Sequence, residues 1–205
     1  MTLDDDTHPL DVIDDFGRAS LENSNPDNKP EEVVAKYGDI EIVRLRVQST
    51  LDSNRLGLTD TEGQSRKEMT WMEAMDTVIL HEILIEESKA KGFTVTQEDI
   101  DRNVNVLKEN YEMFPEAAEF IDKYCAEAGI SPEEYWEMMN VEARPIIFIG
   151  KLRNDFRAQY TAEHWKDPER PTSEEQRSVN VAFSDYQKEL FEKNKDKIEY
   201  LVLQE

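Results

Sequence analysis

His81-Glu82-Ile83-Leu84-Ile85 begins like the helix of a zinc protease. That chemistry needs two imidazoles on one helical face, the second His four residues after the first, to hold a metal that activates water. Ile85 stands where the second His is required, so His81 reads as a helix-surface or interface residue. His8 and His164 have no ligand-like neighbour in the sequence. Cys125 is the single cysteine, which excludes an internal disulfide and a multi-cysteine zinc site. Its place after Tyr124, near a helix end, suits small apolar packing better than a reactive thiol. Glu86-Glu87 and Glu133-Glu134 have the residue type for acid–base work, but a chain with 46 acidic residues produces such pairs as solvated surface. The seven glycines form no phosphate loop and no Gly-x-Ser-x-Gly elbow, and the acidic residues lack the spacing of a calcium loop. The sequence thus carries no local signal for catalysis, a metal or a nucleotide.

The charge balance narrows the partners. Against 46 acidic residues stand 24 basic ones, a net charge of −22. Such a field repels phosphate backbones and anionic membranes, because nucleic-acid binding works by Lys and Arg displacing counterions. It keeps a protein soluble and attracts basic partners. No stretch approaches the roughly 18 apolar residues of a membrane span. Met1-Thr2-Leu3-Asp4-Asp5-Asp6 is the opposite of a positively charged signal-peptide start.

The elements follow from spacing. Residues 1–31, with Asp4-Asp5-Asp6, Asp14-Asp15 and the polar run Asn23 to Pro30, read as an acidic flexible leader. Within it, Leu10, Val12, Ile13 and Phe16 have the spacing of one helical turn able to dock. Val33 to Ile42, rich in β-branched residues around Gly38-Asp39, reads as two short strands and a tight turn. A lone hairpin is barely stable in water, and Ile198-Glu199-Tyr200-Leu201-Val202-Leu203 is the other segment with a strand's composition, so the two are expected to pair. A helix to about Asn54 and a loop over Leu56–Ser65 follow. The next helix has the clearest ends: Thr70 and Glu73 at capping-box spacing, and Gly92 as a stop. Its broad apolar stripe, Met72, Met75, Val78, Ile79, Ile83 and Leu84, predicts burial on more than one side. Thr96 starts a helix running through Ile100, Val104, Leu107 and Tyr111, and a short one spans about Glu116–Ala126. Ser131-Pro132-Glu133-Glu134 opens a long helix that Pro145 should kink or divide. Residues 165–173 read as a connector before a last helix over about Ser173–Asp196. The fold class is mainly α, with a small antiparallel β-sheet from the first and last strands.

The strand pair Val33-Val34-Ala35-Lys36-Tyr37-Gly38-Asp39-Ile40-Glu41-Ile42 carries a family likeness together with four later stretches. These are Glu86-Glu87-Ser88-Lys89-Ala90-Lys91-Gly92-Phe93-Thr94-Val95-Thr96, then Glu98-Asp99-Ile100, then Ala128-Gly129-Ile130-Ser131-Pro132-Glu133-Glu134, then Ile147 to Leu152. In this order they resemble the SurA N-terminal chaperone domain, whose architecture is related to PrsA-type foldases and the substrate-binding part of trigger factor. The likeness covers about residues 32–164 and extends to the C-terminal helix and strand, so residues 32–205 are expected to form one SurA N-like helical domain.

The resemblance implies a cradle that holds unfolded or partly folded polypeptide in a hydrophobic groove, without ATP, nucleotide or metal. Relatives often carry a parvulin prolyl isomerase domain. Too few residues follow Ile198 for one here, so no isomerase activity is expected. On the helices that line the cradle, the likeness points to Met72, Met75, Tyr111, Met113, Phe114, Tyr135, Trp136 and Met139 as peptide-binding residues. Unbranched, polarisable Met side chains adapt to many apolar clients, although core packing is the commoner role of each. The alternative is an interaction or scaffold protein that grips one specific partner or a second copy of itself. Relatives mostly work outside the cytoplasm, which implies a trimmed leader; Met1 as a true start implies the cytoplasm instead.

Overall fold

Apolar spacing and polar caps give seven helices and three strands among the residues that the computed structural model describes, 9–55, 69–165 and 172–202. In chain order they are α1 (Pro9–Asn23), β1 (Val33–Tyr37), β2 (Ile40–Val43), α2 (Arg44–Arg55), α3 (Trp71–Ala90), α4 (Gln97–Met113), α5 (Pro115–Ala128), α6 (Pro132–His164), α7 (Ser173–Asn194) and β3 (Ile198–Tyr200). The protein is mainly helical with one small antiparallel sheet. The loop expected at Leu56–Ser65 and residues 166–171 of the connector lie outside the described residues.

Four helices begin with the same local device. Thr70, Thr96, Ser131 and Thr172 each accept a hydrogen bond from the backbone N–H three residues on, and Glu73, Asp99, Glu134 and Glu175 each reach back to the cap's own N–H. Two otherwise unpaired backbone donors are satisfied at each start, which is why these boundaries are sharp. Gly92, at φ +85°, ends α3, where its N–H donates to the Lys89 carbonyl and that of Phe93 to the Ser88 carbonyl.

The sheet has the order β2-β1-β3, all antiparallel. Gly38-Asp39 is a two-residue hairpin turn with Gly38 at φ +57°, a conformation that costs glycine little. Lys36 pairs with Glu41 on one side and with Glu199 on the other, so the first and last segments join as expected. Under the sheet lies the largest core: Val34, Ile42, Val47, Met75, Ile79, Ile83, Leu84, Leu152 and Leu190, drawn from β1, β2, α2, α3, α6 and α7. A second core joins Ile85, Val95, Ile100, Val104, Ala143 and Phe148. A third is built on Ile121, Tyr124, Cys125 and Ala128 of α5, with Tyr111, Tyr135 and Trp136 against it.

Helix α6 contributes to all three. It is 33 residues long, and Pro145 does not divide it. Proline removes one backbone donor from the turn, but Ala143 and Phe148 on either side are buried against α3 and α4, and that packing holds the helix together.

The leader expected over residues 1–31 needs correction for its described part. Pro9–Asn23 is helical and lies along α5, and Pro26–Asn28 is a single 3-10 turn. The side chains of Leu10, Val12, Ile13 and Phe16, the patch expected to dock, lie outside the described residues, while the two backbones approach closely at Gly17. A Cβ there would lie 2.6 Å from Glu127 Cβ and 3.0 Å from the Tyr124 carbonyl oxygen. The Ser20 and Tyr124 hydroxyls meet at 3.2 Å, and Asn23 donates to the buried Asp52 of α2.

Gly17→Ala therefore forces α1 away from α5. We expect a loss of about 1–3 kcal/mol in urea unfolding, the usual cost of overpacking, with proteolysis within α1 rising in parallel; an unchanged midpoint would show that the helices do not meet as described.

Two tyrosines tie the C-terminal elements to α3. Tyr186 donates to Glu87 at 3.1 Å and Tyr200 to Asp76 at 2.6 Å. Burial first, and the carboxylate acceptors second, push both phenols above their usual value of 10.0. Their stabilisation is complete below pH 10 and is lost as pH rises through the folded-state values, because the unfolded chain releases these protons first. The thermal midpoint should fall between pH 10 and 12, and fall less in the Tyr186→Phe/Tyr200→Phe variant; equal pH profiles would assign alkaline unfolding to other groups.

Candidate functional site

Cys125 is buried, and burial pushes its thiol up, away from the reactive thiolate. His81 lies on α3 beside the Arg46–Glu82 ion pair of 2.7 Å, and burial with the Arg46 charge lowers its pKa. Among the described residues no three His, Cys, Asp or Glu side chains converge to hold a metal ion.

The eight expected peptide-binding residues do not form one surface. Met75 is completely buried in the core under the sheet, and Met72 packs at its edge. The other six gather at the far end of the molecule, where α4, α5 and α6 meet. Tyr111, Tyr135 and Trp136 are half-buried in the third core, and Met139 closes the second. Met113, 67% exposed, and Phe114, 50% exposed, stand at the α4–α5 corner.

Behind that corner is a rigid aromatic base. Trp136 meets Tyr111 edge to face at 5.8 Å and Tyr135 at 5.0 Å, and Tyr135 meets Tyr124 at 5.7 Å. The Lys108 ammonium lies 5.5 Å from the Trp136 ring centre, and the Tyr111 hydroxyl donates to Asp122 at 3.0 Å. Burial, then the neighbouring Tyr124, pushes the Tyr135 phenol up to about 12, so it stays neutral under ordinary conditions. At the opposite end of α4, Lys151 donates to Asp99 at 2.8 Å and to the Thr94 carbonyl, fastening the helix start to α6. That hydrogen bond first, and the Thr96 N–H second, hold the Asp99 carboxyl down at about 2.

Phe114 is out of place by the rules that govern every other well-defined start. It is the last cap of α4 and the first of α5, has extended backbone angles, and makes no side-chain cap bond. A position that favours Ser, Thr, Asp or Asn holds an exposed aromatic ring that contributes neither a cap nor core burial.

The sequence reading missed Val106, 50% exposed on α4, and placed Leu107 in the helix's apolar series, where it is 39% exposed. Val106 and Met113 are seven residues apart, two helical turns, so they share a face of α4, with the exposed Glu109 and Asn110 between them. The signal was available: Val106 lies off the buried stripe of Ile100 and Val104 and has no core to face.

The geometry thus defines a mainly helical protein with a small sheet over its largest core and an exposed apolar corner where α4 turns into α5. None of the protein-family models matches the chain, nor does any curated protein or solved structure.

Phe114→Ser should stabilise the fold by on the order of 1 kcal/mol, by supplying the missing cap to α5, as read from urea unfolding. A loss of similar size would mean that the ring is a packing residue and not a surface one.

Proposed function

We propose that this protein holds non-native polypeptide segments without nucleotide or metal, and that the α4–α5 corner is the surface that touches them. The observation that carries this reading is the exposure of Val106, Leu107, Met113 and Phe114 within nine residues of one another at the α4–α5 corner. Exposed apolar side chains gathered in this way on so charged a protein form a surface kept for contact. The Met side chain adjusts to different client shapes. The SurA-like order of strand pair, long helices and returning C-terminal strand supports the same reading.

Energetics favour reversible holding. Full coverage of Met113 and Phe114 gains about 1.5–3 kcal/mol each, against an association cost of several kcal/mol. One segment binds weakly and leaves without an energy source, and longer clients gain by touching the corner at several points.

The test is suppression of aggregation of two unrelated, thermally unfolding proteins at stoichiometric ratios. The unsubstituted protein should protect both, and the Met113→Ser/Phe114→Ser variant should lose most of that protection while remaining folded. Protection of neither client, together with tight binding of one specific partner or of a second copy, would replace this reading with that of a scaffold.

A further inference from the structure

The charges around the corner are distributed in one sense only. From Glu109 to Asp122 the chain carries Glu109, Glu112, Glu116, Glu119 and Asp122, and neither Lys nor Arg. Asp122 is engaged by the Tyr111 hydroxyl. The four glutamates are exposed, and none forms an ion pair among the described residues. Elsewhere the acidic side chains at helix contacts are matched: Asp99 by Lys151, Asp155 by Lys91, Glu82 by Arg46. Lys108, the nearest cation along α4, lies over Trp136.

An apolar corner ringed by unpaired carboxylates selects its occupant. An acidic or neutral segment gains from Met113 and Phe114 but meets repulsion or nothing at the rim; a segment with Lys or Arg flanking its apolar residues gains from both. We infer that the α4–α5 corner is a docking site for basic amphipathic polypeptide segments, its specificity set by Glu109, Glu112, Glu116 and Glu119. This deepens, and rests on, the reading of the corner as the contact surface. Phe114 supplies the apolar anchor at the centre, and the glutamates raise the encounter rate and exclude acidic competitors. The net charge of −22 attracts any cation weakly from a distance, and at the corner unpaired charge stands beside exposed apolar side chains.

Fluorescence anisotropy with synthetic peptides of about 18 residues, five helical turns, tests this on the full chain. One peptide carries Leu at helical spacing with Lys between, a second has Glu in place of Lys, and a third has Ser in place of Leu. The Leu–Lys peptide should bind on the order of tenfold more tightly than either other peptide at low salt, and the gap to the Leu–Glu peptide should narrow toward 0.5 M salt as the rim is screened. Met113→Ser/Phe114→Ser, which leaves every charge in place, should cost about tenfold for the Leu–Lys peptide. Glu109→Gln/Glu112→Gln/Glu116→Gln/Glu119→Gln should abolish the Lys-over-Glu preference. Retention of that preference in the glutamine variant would assign it to the overall charge and overturn the inference, as would binding of the Leu–Lys peptide unaffected by the serine pair. The neutral-client aggregation assay on the unsubstituted protein reports separately on the holding reading. Protection there without peptide preference removes only the specificity; peptide binding without protection removes the holding function and leaves the docking site.

Discussion

Three separate apolar clusters depend on one helix. Leu152 of α6 belongs to the core under the sheet, Ala143 and Phe148 to the second, and Tyr135 and Trp136 pack on the third. A helix of this length is a rod of about 50 Å, so its register against α3 fixes where the distant corner stands. That register is held by a polar contact inside apolar packing: the fully buried Ser88 hydroxyl donates to the Phe148 carbonyl at 2.9 Å. A slip along the crossing would leave the hydroxyl without a partner and out of water, a cost that apolar contacts alone do not impose. The sheet end and the corner end are thus coupled through geometry, with no direct contact required between them.

Charge pairing follows the same division. Where helices meet, carboxylates are used: Glu87 and Asp76 accept from tyrosines, and Asp99 and Asp155 from lysines. Where α4 turns into α5 the carboxylates face water. Attractive pairs at the joints, with others along single helices such as Arg102–Glu98, offset part of the repulsion of so acidic a chain.

How far the sequence could be read depended on the range of the interaction. Capping boxes at Thr70, Thr96, Ser131 and Thr172 are chemistry between residues three apart, so the starts of four helices were visible. The pairing of first and last strands was legible because only two segments have the composition for it. A helical turn able to dock was legible in α1, but its partner α5 was not, since a glycine within a helical pattern reads as a weakness rather than as the close crossing found at Gly17. Met75 and Met113 show the limit for the site: identical residues, one at the centre of α3's stripe and sealed by neighbours from five other elements, the other past the reach of any core. Exposure is a property of what arrives later in the chain to cover a residue.

The position of β1 has a consequence for the order in which the molecule is made. β1 is the central strand, yet its second neighbour, β3, follows all of α2 to α7, so those helices are synthesised while one edge of β1 stands open. Helices α2 to α6 can gather their short-range contacts as they emerge, but the sheet closes only when Leu201 donates to the Val34 carbonyl. Until then an unpaired strand edge is available to other nascent chains. β3 therefore acts as a latch, and a chain that stops upstream of Ile198 keeps its helices but leaves that edge of β1 open.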